Sequence, residues 1–469
     1  ISRGDWSSDV CSSDLPGSAA ISIIRLSGKD SIEIVDSFFE SKNKIKLIDV
    51  KSHTVHFGIL SDGKKQIDEV LVSIFKSPKS YTGENLVEIS CHGSNYIQQR
   101  IMKLFIENNV KLAKPGEFTL RAFLNKKLDL TQAEAVADLI QSDSAAAHEI
   151  ALNQMRGGYS KEIENLRSQL LNFASLIELE LDFSEEDVEF ADRNELNNLL
   201  DEIELKLESL IDSFSYGGAI KNGVPVAIIG KPNSGKSSLL NKLLNENKAI
   251  VSDIPGTTRD LVEDKLTIGG VEFRFIDTAG LRKSKDKIES IGISKAIEVA
   301  KKAKIILYLI EKNDSDLQSI KDDFKTFNSK RAIIIPIFSK TDLIDENNKD
   351  VVYNMKNIKE IGIDLSSSIE ISIFNDGSIL TLKDHLFKKT TDLKSSSNNT
   401  VVSNIRHYSS MRDSLKGVKS IKKSLKKGLS GDLLSVDIKQ ALNSLGEITG
   451  EITNDEILGN IFKNFCIGK

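Results

Sequence analysis

Cysteine is scarce. Cys11, Cys91 and Cys466 are the three in 469 residues, too few and too scattered for a disulfide framework or a zinc site. That scarcity fits a reducing, cytoplasmic compartment. No apolar run approaches the roughly 18 residues of a membrane span. A dominant charge is also missing. The net charge of −5 gives no global basic field, so any nucleic-acid contact must come from a local patch or a partner. Residues 1–15 lack an initiator Met, a basic n-region and an apolar h-region, so they do not read as a signal peptide. The Ser/Asp-rich run within them carries no fold expectation.

What is present is a globular composition, 39% apolar and 28% charged. The length exceeds one hydrophobic core and implies two to four domains. From Pro16 to about Asn125, short alternating runs predict strands: around Ile21–Ile24, through Val55, Phe57 and Ile59, through Val70, Val72 and Ile74, and at Leu86–Ile89. Helices are predicted at 31–39 and 95–108, giving a small α+β domain. Polar clusters at Tyr81-Thr82-Gly83-Glu84, Cys91-His92-Gly93 and Lys114-Pro115-Gly116-Glu117-Phe118 each read as a turn or helix start. His92 reads as a structural hydrogen-bonder.

Beyond Leu130 the period changes. Ile163, Leu166, Leu170, Phe173 and Ile177 form a helical seam. The acidic stretch from Glu178 to Glu189 reads as a solvated helix end and loop. A second helix, Leu196 to Ile211, is expected to stop at Tyr216-Gly217-Gly218. From about Gly223 to Gly377 apolar runs of strand length alternate with helices, implying a mostly parallel sheet covered on both faces. Lys394 to Asn404 reads as a flexible linker. A closing helical segment carries Lys416, Lys419, Lys422, Lys423, Lys426 and Lys427 on one face, either solvated or in contact with RNA phosphates.

The chemistry concentrates at Gly230-Lys231-Pro232-Asn233-Ser234-Gly235-Lys236-Ser237. It lies between the strand Val224–Ile229 and a helical run, the context a phosphate-cradling loop requires. Its glycines let successive N–H groups face one anion, and the following helix adds its positive end. Lys236 would reach the β- and γ-phosphates, and Ser237 would ligate Mg²⁺. Downstream, Thr258 of Gly256-Thr257-Thr258-Arg259-Asp260 could ligate Mg²⁺ and sense the γ-phosphate. Asp277 of Asp277-Thr278-Ala279-Gly280 would hold the metal through water, and the Gly280 N–H would meet the γ-phosphate. Asp342 of Ser339-Lys340-Thr341-Asp342 can accept two N–H bonds from guanine. Together these predict a GTP/GDP-binding hydrolase. Its nucleotide contacts fall on Asn233, Ser234, Gly235, Lys236, Ser237 and Ser238; on Gly256, Thr257 and Thr258; on Asp277, Thr278, Ala279 and Gly280; and on Ser339, Lys340 and Asp342, to which the family resemblance given below adds Ser252, Asp253, Ile254 and Pro255. Leu281 stands where many GTPases carry a water-orienting Gln. Glu289 is the nearest polar replacement, or else a helix-surface carboxylate. The Asn233 amide could hold a K⁺ that supplies the charge of an arginine finger.

These motifs, with Thr82-Gly83-Glu84, Pro115 to Asn125, Lys127 to Ala135 and the terminal Cys466-Ile467-Gly468-Lys469, resemble the MnmE (TrmE) family of tRNA modification GTPases over about 16–469. The resemblance implies an N-terminal folate-binding and dimerisation domain (1–125), a helical domain in two parts (126–220 and 386–469), and an inserted Ras-like G domain (221–385). It implies a homodimer working with an MnmG-like flavoprotein, which brings FAD and NADH, on C5 of the wobble uridine of certain tRNAs. A 5-formyltetrahydrofolate-type folate would be met by Arg25, Glu88, Lys127 and Lys469. By the same resemblance K⁺ falls on Asn233, Ser252, Ile254 and Thr257, Mg²⁺ on Ser237 and Thr258, and water orientation on Glu289. Cys466 matches a cysteine proposed to be catalytic, or positions the tail.

Departures from the family pattern fall at four places. Ser339 replaces the usual Asn, and its shorter hydroxyl is expected to lose a link to the phosphate loop. Ser372-Ile373-Phe374 replaces a Ser-Ala-Lys-like segment. Ser18-Ala19-Ala20 replaces a glycine-rich turn, and residues 1–15 do not resemble the family's first strand. The competing reading is a regulatory GTPase, such as a ribosome-assembly factor, using the basic helix face on rRNA.

Overall fold

A computed structural model describes residues 10–13, 19–63, 65–182, 192–245, 264–276, 297–311, 317–327, 332–343, 368–392, 401–427, 431–453, 455–463, 465 and 468. It divides into two compact units: 1–141, 151–207 and 410–469 in the first, 142–150 and 208–409 in the second. No described helix is long and apolar enough to cross a membrane.

The first unit opens with a seven-stranded sheet of order β3-β4-β5-β6-β2-β1-β7. Its strands are β1 (Val10–Ser13), β2 (Ile21–Ser27), β3 (Phe39–Ser41), β4 (Thr54–Ser61), β5 (Gln66–Phe75), β6 (Leu86–His92) and β7 (Lys111–Leu112). The alternating runs land on β4 and β5; Val70, Val72 and Ile74 of β5 are buried with Ile24, Leu26 and Ile89 against Ile101 and Phe105 of α2 (Asn95–Ile106), whereas Val55 and Phe57 of β4 stand on the exposed face. The short α1 (Ser31–Asp36) packs into the same core through Ile32 and Val35. β1 is a difference from the sequence reading, which placed no strand before Pro16. It pairs antiparallel with β2 and parallel with β7. Its Val-Cys-Ser-Ser sequence carries little apolar signal, so its pairing partners define it.

The helices of this unit are α3 (Glu117–Leu124), α4 (Leu130–Ile140), α6 (Ser160–Asp182) and the first part of α7 (Arg193–Asn222). They are joined from the C-terminal side by α11 (Ile405–Lys426), α12 (Gly431–Thr449) and α13 (Asp455–Phe462). α4 starts in a capping box, with Asp129 accepting from the Gln132 N–H while the Gln132 side chain returns to the Asp129 N–H. The tail folds back on α3 and α4: Leu458, Phe462 and Phe465 share a core with Leu130 and Ala133. Gly116 has φ +71, and a Cβ there would stand 2.8 Å from the Phe462 carbonyl oxygen. Its glycine therefore serves both the left-handed turn into α3 and the approach of the tail.

The second unit is a six-stranded sheet of order β13-β12-β11-β8-β10-β9. β8 (Val224–Gly230), β10 (Val271–Phe275), β11 (Ile305–Glu311), β12 (Ile333–Ser339) and β13 (Ile369–Glu370) are parallel. β9 (Asp264–Ile268) pairs antiparallel with β10. The parallel strands are the predicted apolar runs, buried on both faces: Val226, Ile228, Leu307 and Ile335 on one side, Ala227, Ile229, Ile306 and Phe338 on the other. The sequence reading did not foresee β9. Its polar alternation becomes a strand through the hairpin at Gly269-Gly270, both at positive φ. α8 (Lys236–Asn245), α9 (Leu317–Phe327) and α10 (Asp376–Asp392) flank this sheet, and the start of α5 (Ala145–Met155) adds Ala147 to its core.

Two expectations are corrected in this unit. α7 does not stop at Gly217-Gly218; it runs to Asn222, and Gly223 at φ +77 ends it. Gly217 serves packing instead, because a Cβ there would stand 2.2 Å from the Val402 carbonyl oxygen. The end of the expected linker is packed rather than free: Val402 is buried, and its N–H donates to Ser213 Oγ at 3.0 Å. The linker residues 394–400 lie outside the described residues.

Candidate functional site

In the second unit, β8 ends at Gly230 and α8 begins at Lys236, so the loop between them sits at the carboxyl edge of the parallel sheet, where such folds bind ligands. Its turn uses three left-handed or extended-positive positions: Gly230 at φ +157, Asn233 at +64 and Gly235 at +93. Asn tolerates that region better than most side chains. A Cβ on Gly230 would lie 2.6 Å from the Leu309 carbonyl oxygen, whereas one on Gly235 meets nothing within 4 Å. One glycine thus closes the loop on β11 and the other leaves its mouth open. Ser234 Oγ is buried without a hydrogen-bond partner among the described residues. The Lys236 ammonium donates to the carbonyls of Gly230 (2.8 Å) and Lys231 (2.6 Å). Burial lowers its pKa, and Glu311 opposes that shift. An unsatisfied buried hydroxyl, a desolvated ammonium and an open glycine mouth fit a polyanion.

β12 and β13 bring the segments expected to read the base beside this loop. Ser339 Oγ donates to the Ser234 carbonyl at 2.9 Å and lies 3.4 Å from the Ile310 carbonyl. The expected loss of the link to the phosphate loop is therefore corrected: Ser339 is 4% exposed, and its hydroxyl reaches because β12 lies close to the loop. Ser372 Oγ donates to Asp342 Oδ1 at 2.7 Å and accepts from the Phe374 N–H at 3.2 Å. Lys340 is at φ +59, and its ammonium pairs with Glu311 at 2.7 Å. Ser237 and Ser238 lie in the first turn of α8. Ser252, Asp253, Ile254, Pro255, Gly256, Thr257, Thr258, Asp277, Thr278, Ala279, Gly280, Leu281 and Glu289 lie outside the described residues. Of the expected metal ligands, Asn233 and Ser237 are described. Among the described residues no group of three or more His, Cys, Asp or Glu could hold a metal ion.

The first unit holds a second constellation. Arg25 on β2 and Glu88 on β6 are register partners, and Arg25 Nε donates to Glu88 Oε1 at 2.8 Å. Arg25 Nη1 also donates to the Gly468 carbonyl at 3.1 Å, so the chain's tail reaches this pair. Lys127 does not join it; its ammonium donates to the Pro78 carbonyl at 3.1 Å. Lys469 and Cys466 lie outside the described residues.

Sequence reasoning missed how the N-terminal motifs bind one another. Arg121, 2% exposed, donates through Nη1 to Glu84 at 3.0 and 3.2 Å and through Nη2 to Glu117 at 2.8 Å. Glu84 also accepts from Ser27 Oγ at 2.9 Å, Ser27 Oγ lies 2.7 Å from Thr82 Oγ1, and Asn125 donates to the Thr82 carbonyl at 2.7 Å. The 82–84 loop and α3 are thus one ionic unit beside the Arg25 strand. His92 is a hydrogen-bonder, as read: its Nδ1 lies 2.8 Å from Asp68 Oδ1.

The basic face of α11 is solvated in part and ion-paired in part. Lys422 pairs with Asp201 at 2.5 Å and with Glu204, and Lys419 lies 3.5 Å from Glu204. These bonds raise the Lys422 pKa and lower that of Glu204. Lys416 pairs with Asp413 on its own helix.

The doubly covered parallel sheet, its phosphate-type loop and the Ser-Lys-Thr-Asp turn define a P-loop GTP hydrolase with further domains attached. The comparisons with known proteins specify it further. A family profile described as the MnmE helical domain matches residues 130–466, and one described as the GTP-binding protein TrmE N-terminus matches 10–127. The chain is 50% identical over 467 residues to the tRNA modification GTPase MnmE of Christiangramia forsetii, covering 97% of each chain. It is 51% identical over 453 residues to that of Flavobacterium psychrophilum, again with 97% of each covered. It is 48% identical over 463 residues to that of Bacteroides thetaiotaomicron, covering 98% of this chain and 99% of the relative. The chain belongs to the MnmE family of tRNA modification GTPases.

Proposed function

We propose that this GTPase is K⁺-dependent and works with an MnmG-like flavoprotein to add a carboxymethylaminomethyl-type group to C5 of the wobble uridine of certain tRNAs. The observation that carries the reading is the presence in one chain of a phosphate loop with Asn233 at its left-handed turn and, in the other unit, an Arg25–Glu88 pair met by the tail at Gly468. The first suits a nucleotide. The second suits a folate, whose carboxylates match a guanidinium and whose pterin amide and amine edge matches a carboxylate.

In the hydrolytic step water attacks the γ-phosphorus and the bond to the β–γ bridging oxygen breaks, giving GDP and phosphate. Lys236 and the N–H groups of 233–238 bind the β- and γ-phosphates. Asp342, fixed by Ser372, selects guanine. Glu289 orients the water. Mg²⁺ on Ser237 and Thr258, and K⁺ on Asn233, Ser252, Ile254 and Thr257, would neutralise charge developing on the phosphates. The N-terminal part (1–125) pairs two copies and offers Arg25 and Glu88 to the folate, with Lys127 and Lys469 added from the helical parts. The helical parts (126–220, 386–469) carry the G domain (221–385). FAD and NADH belong to the flavoprotein, and the assembly acts in the cytoplasm. The rRNA-binding alternative loses support, because Lys419 and Lys422 are engaged by Glu204 and Asp201.

The test is GTP turnover in KCl against NaCl, with Glu289→Ala in parallel and calorimetric titration of 5-formyltetrahydrofolate. Severalfold faster turnover in K⁺, loss of rate in the variant and saturable folate binding are expected. Equal rates in both salts would refute the cation role; absent folate binding would refute the modification role.

A further inference from the structure

Phe374 is the most exposed large apolar side chain among the described residues, at 81%. An isolated exposed aromatic is ordinary on a floppy loop, but this one is on a pinned turn. The Asn375 N–H donates to the Ser372 carbonyl at 3.1 Å, closing a turn around Ile373 and Phe374. Asn375 Oδ1 then accepts from the Gly377 N–H at 2.9 Å and the Ser378 N–H at 3.3 Å, fixing the start of α10. Ser378 Oγ ties back to the Ser372 carbonyl at 2.9 Å. The Phe374 N–H itself donates to Ser372 Oγ, the hydroxyl that holds Asp342. The phenyl ring is thus carried two residues from the group that orients Asp342, on a turn closed by these hydrogen bonds.

We propose that Phe374 is a nucleobase-stacking residue: its ring covers one face of the purine whose edge Asp342 reads. This rests on the reading of 339–342 and 372–374 as the base site. The proposal explains why a large apolar group stands exposed on a hydrogen-bonded turn there. A purine face is apolar, and aromatic stacking on it is tolerant of base identity. Phe374 therefore contributes affinity, while Asp342 contributes discrimination.

The test is calorimetric titration of the full chain with GDP and with IDP, which lacks the 2-amino group, in the unaltered protein and in Phe374→Ala, Phe374→Trp and Asp342→Ala. Stacking of one base is worth about five- to a hundredfold in affinity. Phe374→Ala should weaken GDP and IDP by one common factor of roughly fivefold or more on that scale, and Phe374→Trp should restore both. Asp342→Ala should instead erase the preference for GDP over IDP. GDP affinity in Phe374→Ala within about twofold of the unaltered chain, well short of that scale, overturns the stacking role while leaving the base site intact. Failure of the unaltered chain to bind GDP overturns the base site and the stacking role together.

Discussion

The hydroxyl of Ser339 offers a direct measurement of how much one hydrogen bond organises the phosphate loop. Ser339→Ala removes the donor to the Ser234 carbonyl, a 2.9 Å bond at a site 4% exposed. A buried hydrogen bond contributes about 1 kcal/mol net, and leaving the acceptor unsatisfied costs about 1–3 kcal/mol. The loop that carries Ser234 has three positive-φ residues between 230 and 235, so local backbone geometry gives it no ladder to fall back on. The freed carbonyl can turn toward water only by tilting the following peptide units, whose N–H groups are the ones proposed to bind the phosphates. Part of the loss therefore falls on nucleotide binding. An affinity loss of about 1–2 kcal/mol is a factor of roughly five to thirty. The assay is the GDP dissociation constant at saturating Mg²⁺, with Ser339→Thr as the variant that keeps the hydroxyl. A Ser339→Ala protein that binds GDP as tightly as the parent, or a Ser339→Thr protein as weak as Ser339→Ala, would refute the clamp.

Two further predictions follow from packing and titration. Gly217→Ala and Gly218→Ala, adjacent in one helix, should move the thermal midpoint in opposite directions. The first drives a Cβ to 2.2 Å from the Val402 carbonyl oxygen and should cost about 1–3 kcal/mol, whereas the second meets only Phe214 carbons at 3.7 Å and should gain about 0.5–1 kcal/mol of helix propensity. Burial, reinforced by Asp68, pushes the Cys91 thiol up to about 11. Above the ordinary thiol range the unfolded chain has lost this proton while the native state keeps it, so stability should fall as pH rises from about 9 to 11. Urea midpoints of the parent and Cys91→Ala across that window check this, and parallel curves would contradict it.

How legible the fold was depends on where each element draws its stability. β8, β11 and β12 bury both faces, so their apolar runs announce them. β5 buries one face through Val70, Val72 and Ile74 and alternates accordingly, whereas the alternation of β4 places Val55 and Phe57 on the exposed face and buries Gly58 and Leu60. β1 and β9 are held by their neighbours in the sheet, and nothing in their own composition reports those neighbours. Glycine misled for a related reason. A glycine in a helical sequence ordinarily signals an end, but Gly217 is required by a carbonyl 185 positions away in the chain, at Val402; the true end is Gly223, whose φ of +77 no other residue adopts easily.

The candidate sites divide along the same physical line. The phosphate loop is contiguous, so its spacing carries its geometry, and Lys236, Gly230 and Gly235 could be read directly. The Arg25–Glu88 pair spans 63 positions and the Arg121–Glu84 pair 37. One sequence offers no register between strands, so Arg25 and Glu88 could be named as separate contacts but not as a pair. The pairing changes what each can do. Arg25 that already donates to Glu88 and to the Gly468 carbonyl presents a partly neutralised guanidinium, so an anionic ligand there competes with an internal carboxylate. The same accounting applies to α11. Counted from sequence, its lysines form a basic face; counted with Asp201 and Glu204, Lys419 and Lys422 are half of a charge-balanced cluster. A lysine held by two carboxylates cannot release counterions from a phosphate backbone without first giving those bonds up, so a charge stripe on one helix becomes a nucleic-acid argument only after the facing helix has been counted.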